Sequence, residues 1–147
     1  METLLETLST LTQSLTDLEP VLVDEYRQLS ALKIDPVVLQ RISDAKSKQL
    51  STVAYYDAQR QDLEKKLALS APYTGHAELA AVWHETVQKV KKASQLNQQS
   101  HLLLERHQQA SKALQSLFQK NLVKGTIYGA KGQSGTLSTG RAHSHLA

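Results

Sequence analysis

The sequence predicts an all-α protein, an elongated antiparallel three-helix bundle or coiled coil with a flexible glycine-rich C-terminal tail. Apolar residues recur at spacings of three and four through most of the chain. Proline and glycine concentrate at two internal boundaries and in the tail. Aromatic residues make up only 5% of the 147 residues, which suits the narrow leucine-rich core of a bundle. We therefore expect one bundle over residues 1–122 and a tail over residues 123–147.

A leucine heptad seam defines the first predicted helix, residues 2–33. Glu25 takes the seam position before the last leucine. Pro20 lies inside this helix, and proline lacks a backbone N–H and crowds the preceding turn, so we expect a kink or a helix restart over residues 16–20. The seam stays in phase across the proline, which favours a kink. The seam leucines are Leu4, Leu8, Leu11, Leu15, Leu18, Leu22 and Leu29.

The second predicted helix covers residues 36–69. Asp35 is a suitable N-cap, and Pro36 suits the first helical position. Lys46 and Arg60 interrupt its apolar stripe, and we expect their long side chains to reach water at its edge. The short connection predicts antiparallel packing on the first helix. The stripe residues are Leu39, Ile42, Leu50, Val53, Tyr56, Leu63 and Leu67.

The third predicted helix, residues 76–122, follows a cluster of breakers at residues 71–75. No proline or glycine interrupts its 45 or so residues from position 78 onward, a length of roughly 65 Å. A polar layer at Asn97–His101 divides its apolar stripe, and such layers usually fix register in a bundle. The stripe residues before it are Leu79, Val82, Trp83, Val87, Val90, Ala93 and Leu96.

The last turns of the third helix extend beyond the length of the other two. Leu114, Leu117, Phe118 and Leu122 lie on this extension. An apolar face without an intramolecular partner indicates an interaction site. In the alternative, residues 1–15 cover it. The pattern leaves both possibilities open.

The tail contains one apolar island, Thr126–Gly129, among glycine, serine, threonine and histidine. Tyr128 beside Ile127 in a basic, flexible tail is typical of a short docking motif, but it could equally pack back onto the bundle. Residues 1–33 carry six acids and two bases, whereas residues 119–147 carry four bases and no acid. This asymmetry indicates charged partners at different sites, or tail contacts with the bundle.

The chemistry that an enzyme needs is not found in the sequence. The chain has no cysteine, so disulfides, thiolate metal sites and cysteine nucleophiles are excluded. His84 begins a zinc-protease-like pattern, but Gln88 stands where the second histidine ligand would be. His143 and His145 lack a third ligand, and the tail glycines lack the Gly-Lys-Ser/Thr ending of a phosphate loop. We expect no enzymatic activity, no metal and no cofactor.

Composition also restricts the partners and the compartment. The acidic first helix and the lack of aromatic residues for base stacking argue against nucleic-acid binding. No apolar run approaches 18 residues, so we expect no membrane insertion. The N-terminus lacks the basic region and apolar core of a signal peptide, and we expect a cytoplasmic protein.

Three elements, in order, resemble the FlgN family of flagellar type III export chaperones. The first is the leucine heptad with Glu25, followed by Leu39, Ile42 and Lys46. The second is Trp83, followed by Leu96-Asn97-Gln98 and Leu103-Leu104-Glu105. The third is Ile127-Tyr128-Gly129-Ala130-Lys131-Gly132-Gln133, which is similar to the family's Leu-Tyr-Gly-x-x-Gly-Gln element. The resemblance covers nearly the whole chain, with Ile127 in place of the usual leucine.

The resemblance implies a function and two partners. Such chaperones bind the C-terminal amphipathic helices of hook-associated, hook–filament junction proteins of the FlgK and FlgL type, and prevent their premature assembly. They deliver these clients to the export gate, where the tail tyrosine docks on the cytoplasmic domain of FlhA. The implied gate-docking residues are Ile127, Tyr128 and Gly129.

Client binding would place an amphipathic helix on the second half of the third helix. The candidate client-binding residues are Leu103, Leu104, Ala110, Leu114, Leu117 and Phe118. The alternative that the residue pattern leaves open is a structural coiled-coil adaptor without an export role, dimerising through the Leu4–Leu29 seam.

Overall fold

Three α-helices make up the regular structure of this chain. A computed structural model describes the backbone of residues 2–129 and the side chains of residues 2–121. The helices are α1 (Glu2–Leu29), α2 (Pro36–Leu67) and α3 (Ala77–Gly129), and no strand occurs among the described residues. The predicted all-α class is confirmed.

Helix α1 runs without interruption through Pro20, so the alternative of a helix restart is wrong. The helix ends at Leu29, four residues before the predicted end at residue 33. The backbone N–H of Ser30 still donates to the carbonyl of Tyr26 at 2.9 Å, and the Ser30 hydroxyl donates to the same carbonyl at 2.7 Å. Both the main chain and the side chain of Ser30 thus donate hydrogen bonds to a carbonyl in the last turn of α1.

Helix α2 begins with the predicted cap. The Asp35 carboxylate accepts from the N–H groups of the second and third residues of α2, at 3.0 and 3.5 Å, and Pro36 is the first helical residue. The helix ends at Leu67, two residues before the predicted end at residue 69. Ala68 then takes the left-handed conformation (φ 53°), and its N–H donates to the Glu64 carbonyl.

Helix α3 continues seven residues beyond its predicted end at Leu122, to Gly129. It contains no proline, and a single glycine such as Gly125 costs a helix only about 1 kcal/mol, which is too little to end it. Residues 123–129, which the sequence assigned to a flexible tail, are therefore helical. The remainder of the predicted tail, residues 130–147, lies outside the described residues.

The first of two core clusters joins the start of α1, the end of α2 and the start of α3. Leu4 and Leu8 of α1 are fully buried there with Tyr73 and Leu79. Partly buried residues that pack against them include Leu63, Leu69, Val82 and Trp83. This arrangement makes α1 antiparallel to α2 and parallel to the first part of α3, as predicted.

The second core cluster continues the leucine seam along α1. Its buried members are Leu11, Leu15, Leu18 and Leu22. Val53 and Tyr56 of α2 and Ala93 and Leu96 of α3 pack against them. Both clusters fall within Met1–Leu103, one of the two compact units into which the chain divides; the other is Leu104–Ala147.

Polar contacts fix the alignment of the three helices in the first unit. The hydroxyls of Thr12 and Thr86 lie 2.8 Å apart between α1 and α3. Towards the other end of α1, Lys46 Nζ contacts Glu25 Oε1 at 2.9 Å and donates to the Asn97 side-chain oxygen. Lys46 of α2 thus joins all three helices, through Glu25 of α1 and Asn97 of the predicted polar layer in α3, instead of reaching into water.

A second polar cluster surrounds Arg60. The expectation that this side chain reaches water is wrong, because it is buried. Its guanidinium donates to Asp57 at 2.9 Å and to Glu64 at 2.7 Å, and lies 4.7 Å from the ring centroid of Trp83. The Tyr73 hydroxyl donates to the same Glu64 oxygen at 2.8 Å, and its ring meets Trp83 edge-on at 5.8 Å. These contacts compensate the burial of the charge.

Burial and charge act differently on the two titratable groups of this cluster. Burial raises the pKa of Tyr73 to about 12, and the Glu64 carboxylate acts in the same direction while Arg60 opposes it. For Arg60, burial disfavours the charged form, but the hydrogen bonds to Tyr73 and Asp57 and the nearby carboxylates outweigh it. The pKa of Arg60 is therefore raised.

Candidate functional site

The predicted client-binding residues form a stripe along α3. Successive residues of an α-helix are about 100° apart, so five of the six residues fall in an arc of about 100°. We measure position on the helix as the angle of rotation about the helix axis, with Leu103 at 0°. On this scale the arc runs from about −40° at Leu117 to about 60° at Phe118, and Leu104 lies outside it at about 100°. We call the arc, which consists of Leu103, Ala110, Leu114, Leu117 and Phe118, the α3 stripe.

The side chains of the α3 stripe are exposed along most of its length. Leu114, Leu117 and Phe118 retain 68%, 59% and 60% of their surface, and Ala110 is also exposed. Leu103 is half-buried, and Leu104 beside the stripe is 38% exposed. Three large apolar side chains this accessible within five residues make this face of α3 a candidate interaction surface.

The sequence left open whether residues 1–15 cover the last turns of α3. The leucines of that segment are buried in the two core clusters with residues of α2 and of α3 no later than Leu96. Leu114, Leu117 and Phe118 keep more than half of their surface accessible. The core leucines of residues 1–15 are thus buried within the first unit.

Charge is distributed unevenly around the α3 stripe. Arg106 and Lys120 follow one edge, at about −60° and −100°, while the other edge carries the neutral Ser111 and Gln115 at about 80° and 120°. Lys112 lies on the opposite side of the helix, at about 180°. The surface is thus an apolar face with one basic edge and one neutral edge.

The predicted gate-docking residues lie in the last turn of α3. Ile127, Tyr128 and Gly129 are helical, which differs from the flexible tail that the sequence suggested. Their side chains lie outside the described residues. Their docking role stays a prediction.

The first unit has a second apolar surface that the sequence did not indicate. The leucines of α1 from Leu15 to Leu22 floor a groove of about 450 Å³ between α2 and α3. Leu50 and Val90, which the sequence placed on buried stripes, line this groove with 45% and 48% of their surface exposed. Heptad spacing could not reveal it, because the separation of two helices depends on packing along their whole length.

The described residues offer no metal site and no membrane span. Among the side chains of residues 2–121, no group of three or more histidines and carboxylates is placed to hold a metal ion. In the same part of the chain, each helix is too polar over any membrane-length window to cross a bilayer.

Fold and surface together define a helical-bundle protein whose candidate site is an exposed, largely apolar face of α3. The family model described as FlgN protein matches residues 1–136. The chain belongs to the FlgN family.

Several relatives share most of their length with this chain. The flagella synthesis protein FlgN of Proteus mirabilis is 34% identical over 134 residues, which cover 91% of each chain. The protein of the same name from Salmonella typhimurium is 35% identical over 138 residues, again 91% of each. The Escherichia coli protein is 32% identical over 145 residues, which cover 95% of this chain and 96% of its own. No solved structure matches the chain.

Proposed function

We propose that this chain is a cytoplasmic flagellar export chaperone for hook-associated proteins of the FlgK and FlgL type. Membership of the FlgN family, with relatives named flagella synthesis proteins, supports a role in flagellum biogenesis. The observation that carries the chaperone role is the α3 stripe, in which Leu114, Leu117 and Phe118 are exposed.

The mechanism is recognition of one amphipathic helix by another. The C-terminal helix of the client lays its apolar face on the α3 stripe and can no longer pack against another junction subunit. Burial of a Leu or Phe side chain contributes about 1.5–3 kcal/mol, and association costs several kcal/mol in lost motion. Burial of three to five such side chains therefore exceeds the cost of association by a modest margin. A complex of this strength is stable in the cytoplasm and can still dissociate at the export gate.

The leucine seam of α1 weighs against the alternative of a coiled-coil adaptor that dimerises through this seam. Leu4 and Leu8 are fully buried, and Leu22 is 2% exposed, in contact with the chain's own helices. A second chain would have to displace α2 or α3 to reach them. A pull-down from the cytoplasm of flagellated cells separates the two functions, because only the chaperone recovers hook-associated proteins.

Substitution of the stripe tests the client site. Leu114→Asp combined with Leu117→Asp places two carboxylates where apolar contact is needed, and should weaken binding about 100-fold or more. Calorimetric titration with the C-terminal peptide of a hook-associated protein measures the affinity. Circular dichroism should stay helical, since both leucines are exposed.

A matched control adds the same charge on the far side of α3. Gln109 and Ser116 are exposed and lie at about −120° and −140°. The Gln109→Asp and Ser116→Asp pair should bind the peptide as the wild type does. Wild-type affinity in the Leu114→Asp and Leu117→Asp variant would reject the stripe as the client site.

The gate role of Tyr128 has its own test. Tyr128 follows Phe118 by ten residues, about 15 Å along α3, so client and gate can contact different turns of the helix. Tyr128→Ala should reduce binding to the purified FlhA cytoplasmic domain and leave the affinity for the client peptide unchanged. If the substitution unfolds the chain instead, Tyr128 is a core residue and the docking role is wrong.

A further inference from the structure

We infer that the helix bound by the α3 stripe carries acidic residues along a flank of its apolar face, placed to meet Arg106 and Lys120. The inference rests on the proposed function, because it names the chemistry of the helix that the stripe would bind. It concerns the selection of that helix among the many amphipathic helices of a cell.

The basic edge of the stripe follows from helical geometry. Arg106 and Lys120 are separated by 14 residues, which is two heptads and about 21 Å along the axis. Around the helix axis, Arg106 lies about 20° and Lys120 about 60° beyond Leu117, on the side of the apolar arc where a packed helix places its own flanking residues. The two cations therefore lie beside any helix that packs along the stripe.

Both cations are available to a partner. Arg106 and Lys120 are exposed, and neither takes part in an ion pair with another residue of the described part of the chain. By contrast, Lys46 and Lys92 of the bundle are paired with Glu25 and Glu19, at 2.9 and 2.6 Å. Among residues 2–121, whose side chains are described, Arg106 and Lys120 thus have no ion-pair partner within the chain.

The surroundings reinforce the positive sign of this edge. The only acid between residues 104 and 121 is Glu105, at about −160°, on the side of α3 away from the stripe. The opposite edge carries Ser111 and Gln115, which are neutral. A helix with acids on the flank that faces Arg106 and Lys120 is attracted, and a helix with bases there is repelled.

The expected effect is discrimination more than affinity. Exposed ion pairs contribute little free energy each, but like charges at the edge of a helix pair exclude wrong partners. The apolar contacts of the stripe would hold the client, and the basic edge would reject basic amphipathic helices of similar hydrophobicity.

Three synthetic peptides of about 18 residues test the inference. They share one leucine stripe and differ only in their flanking positions, which are all Glu, all Gln or all Lys on both sides, so either helix direction presents the charge. Fluorescence anisotropy with the full chain should show the Glu peptide binding about tenfold or more tighter than the Lys peptide at low salt. The ratio should shrink in about 0.5 M salt.

Single charge reversals locate the effect. Arg106→Glu and Lys120→Glu should each reduce the preference for the Glu peptide by about threefold or more. Lys112→Glu changes the net charge by the same amount on the opposite side of α3, and should leave the preference nearly unchanged. An equal effect of Lys112→Glu would overturn the inference, since the preference would then be general charge attraction.

The outcomes separate the inference from the proposed function. If all three peptides bind equally, and Leu114→Asp with Leu117→Asp abolishes binding, the stripe binds helices and only the inference fails. If no peptide binds, or the leucine substitutions have no effect on binding, the proposed function fails and the inference fails with it.

Discussion

Tyr73 shows how a residue between helices can be part of the core. It is 1% exposed, and its backbone lies in the left-handed region with φ 62°. That conformation costs a non-glycine residue about 1–2 kcal/mol, which burial of the ring and the hydrogen bond to Glu64 offset. The sequence predicted only a turn at residues 71–75, because the burial of Tyr73 depends on Leu4, Leu8 and Leu79 from distant parts of the chain.

Removal of the Tyr73 hydroxyl should cost a modest amount of stability. Tyr73→Phe keeps the ring against Trp83 and loses the hydrogen bond to Glu64, so the free energy of unfolding should fall by about 1 kcal/mol. Tyr73→Ala, which also removes the ring, should cost about 3–5 kcal/mol. Urea denaturation measures both values.

Tyr55→Phe is the matched control. Tyr55 is 59% exposed, so removal of its hydroxyl should change stability very little. If Tyr73→Phe were as harmless as Tyr55→Phe, the hydrogen bond between Tyr73 and Glu64 would not contribute to the fold.

The raised pKa of Tyr73 predicts a loss of stability at high pH. A phenol titrates near pH 10 in the unfolded chain, and burial raises the pKa of Tyr73 to about 12 in the folded one. The protonated Tyr73 hydroxyl contributes fully to the free energy of unfolding below about pH 10. This contribution is lost as the pH rises to about 12, because the phenol of the unfolded chain loses its proton at a lower pH than that of the folded chain. The difference in unfolding free energy between wild type and Tyr73→Phe should therefore shrink as the pH rises from about 10 towards about 12. A constant difference over that interval would contradict the assignment.

For helix α1, the sequence predicted the buried face and favoured a helix that continues through Pro20, but it placed the end of the helix four residues too late. All seven seam leucines are buried, as the heptad spacing required. Pro20 is exposed and lies within a continuous helix, because a proline on the solvent side removes one hydrogen bond without blocking the core face. Pro20 has no backbone N–H to donate to the carbonyl of Thr16.

Replacement of Pro20 should stabilise the chain. Pro20→Ala restores the donor to the Thr16 carbonyl and removes the ring from the helix interior, so the free energy of unfolding should rise by about 1–3 kcal/mol. Urea denaturation followed by circular dichroism measures the change. Ser9→Ala, also at an exposed position of α1, controls for the higher helix propensity of alanine. A Pro20→Ala variant no more stable than Ser9→Ala would show that the proline costs α1 nothing.

Helix α2 shows where sequence patterns fail. Asp35 caps the helix as predicted, since a cap depends on neighbouring residues alone. Lys46 and Arg60 were expected to reach water, but both are paired with carboxylates in the bundle. The partner of Lys46 is Glu25 of α1, which heptad spacing within α2 cannot reveal. The carboxylates that pair with Arg60, Asp57 and Glu64, lie on α2 itself, but the burial of Arg60 depends on Trp83, which lies on α3.

The whole chain divides into a part that carries the core and a part that carries the candidate site. The sequence predicted three helices, their order and the antiparallel packing of α1 on α2, because these follow from heptads, breakers and loop length. From the excess length of the third helix, it gave exposure of Leu114, Leu117 and Phe118 as one of two possibilities, and all three are exposed. The end of α3 was missed, because residues 123–129 combine weak helix formers with no strong stop signal.

The division predicts that residues 1–103 fold alone. Both core clusters and all ion pairs between helices of the described part lie within this unit. A fragment of residues 1–103 should unfold cooperatively, with a free energy within roughly 1 kcal/mol of the full chain, and should not bind the client peptide. A fragment that is unfolded in buffer would show that residues after Leu103 support the bundle.

Site-specific photocrosslinking in flagellated cells tests the central claim most directly. A photoreactive residue at position 117 lies on the α3 stripe, and one at position 112 lies on the opposite side of the same helix. Position 117 should form adducts with hook-associated proteins, while position 112 should form few or none. Equal adducts from both positions, or no hook-associated protein captured at position 117, would contradict client binding through the α3 stripe.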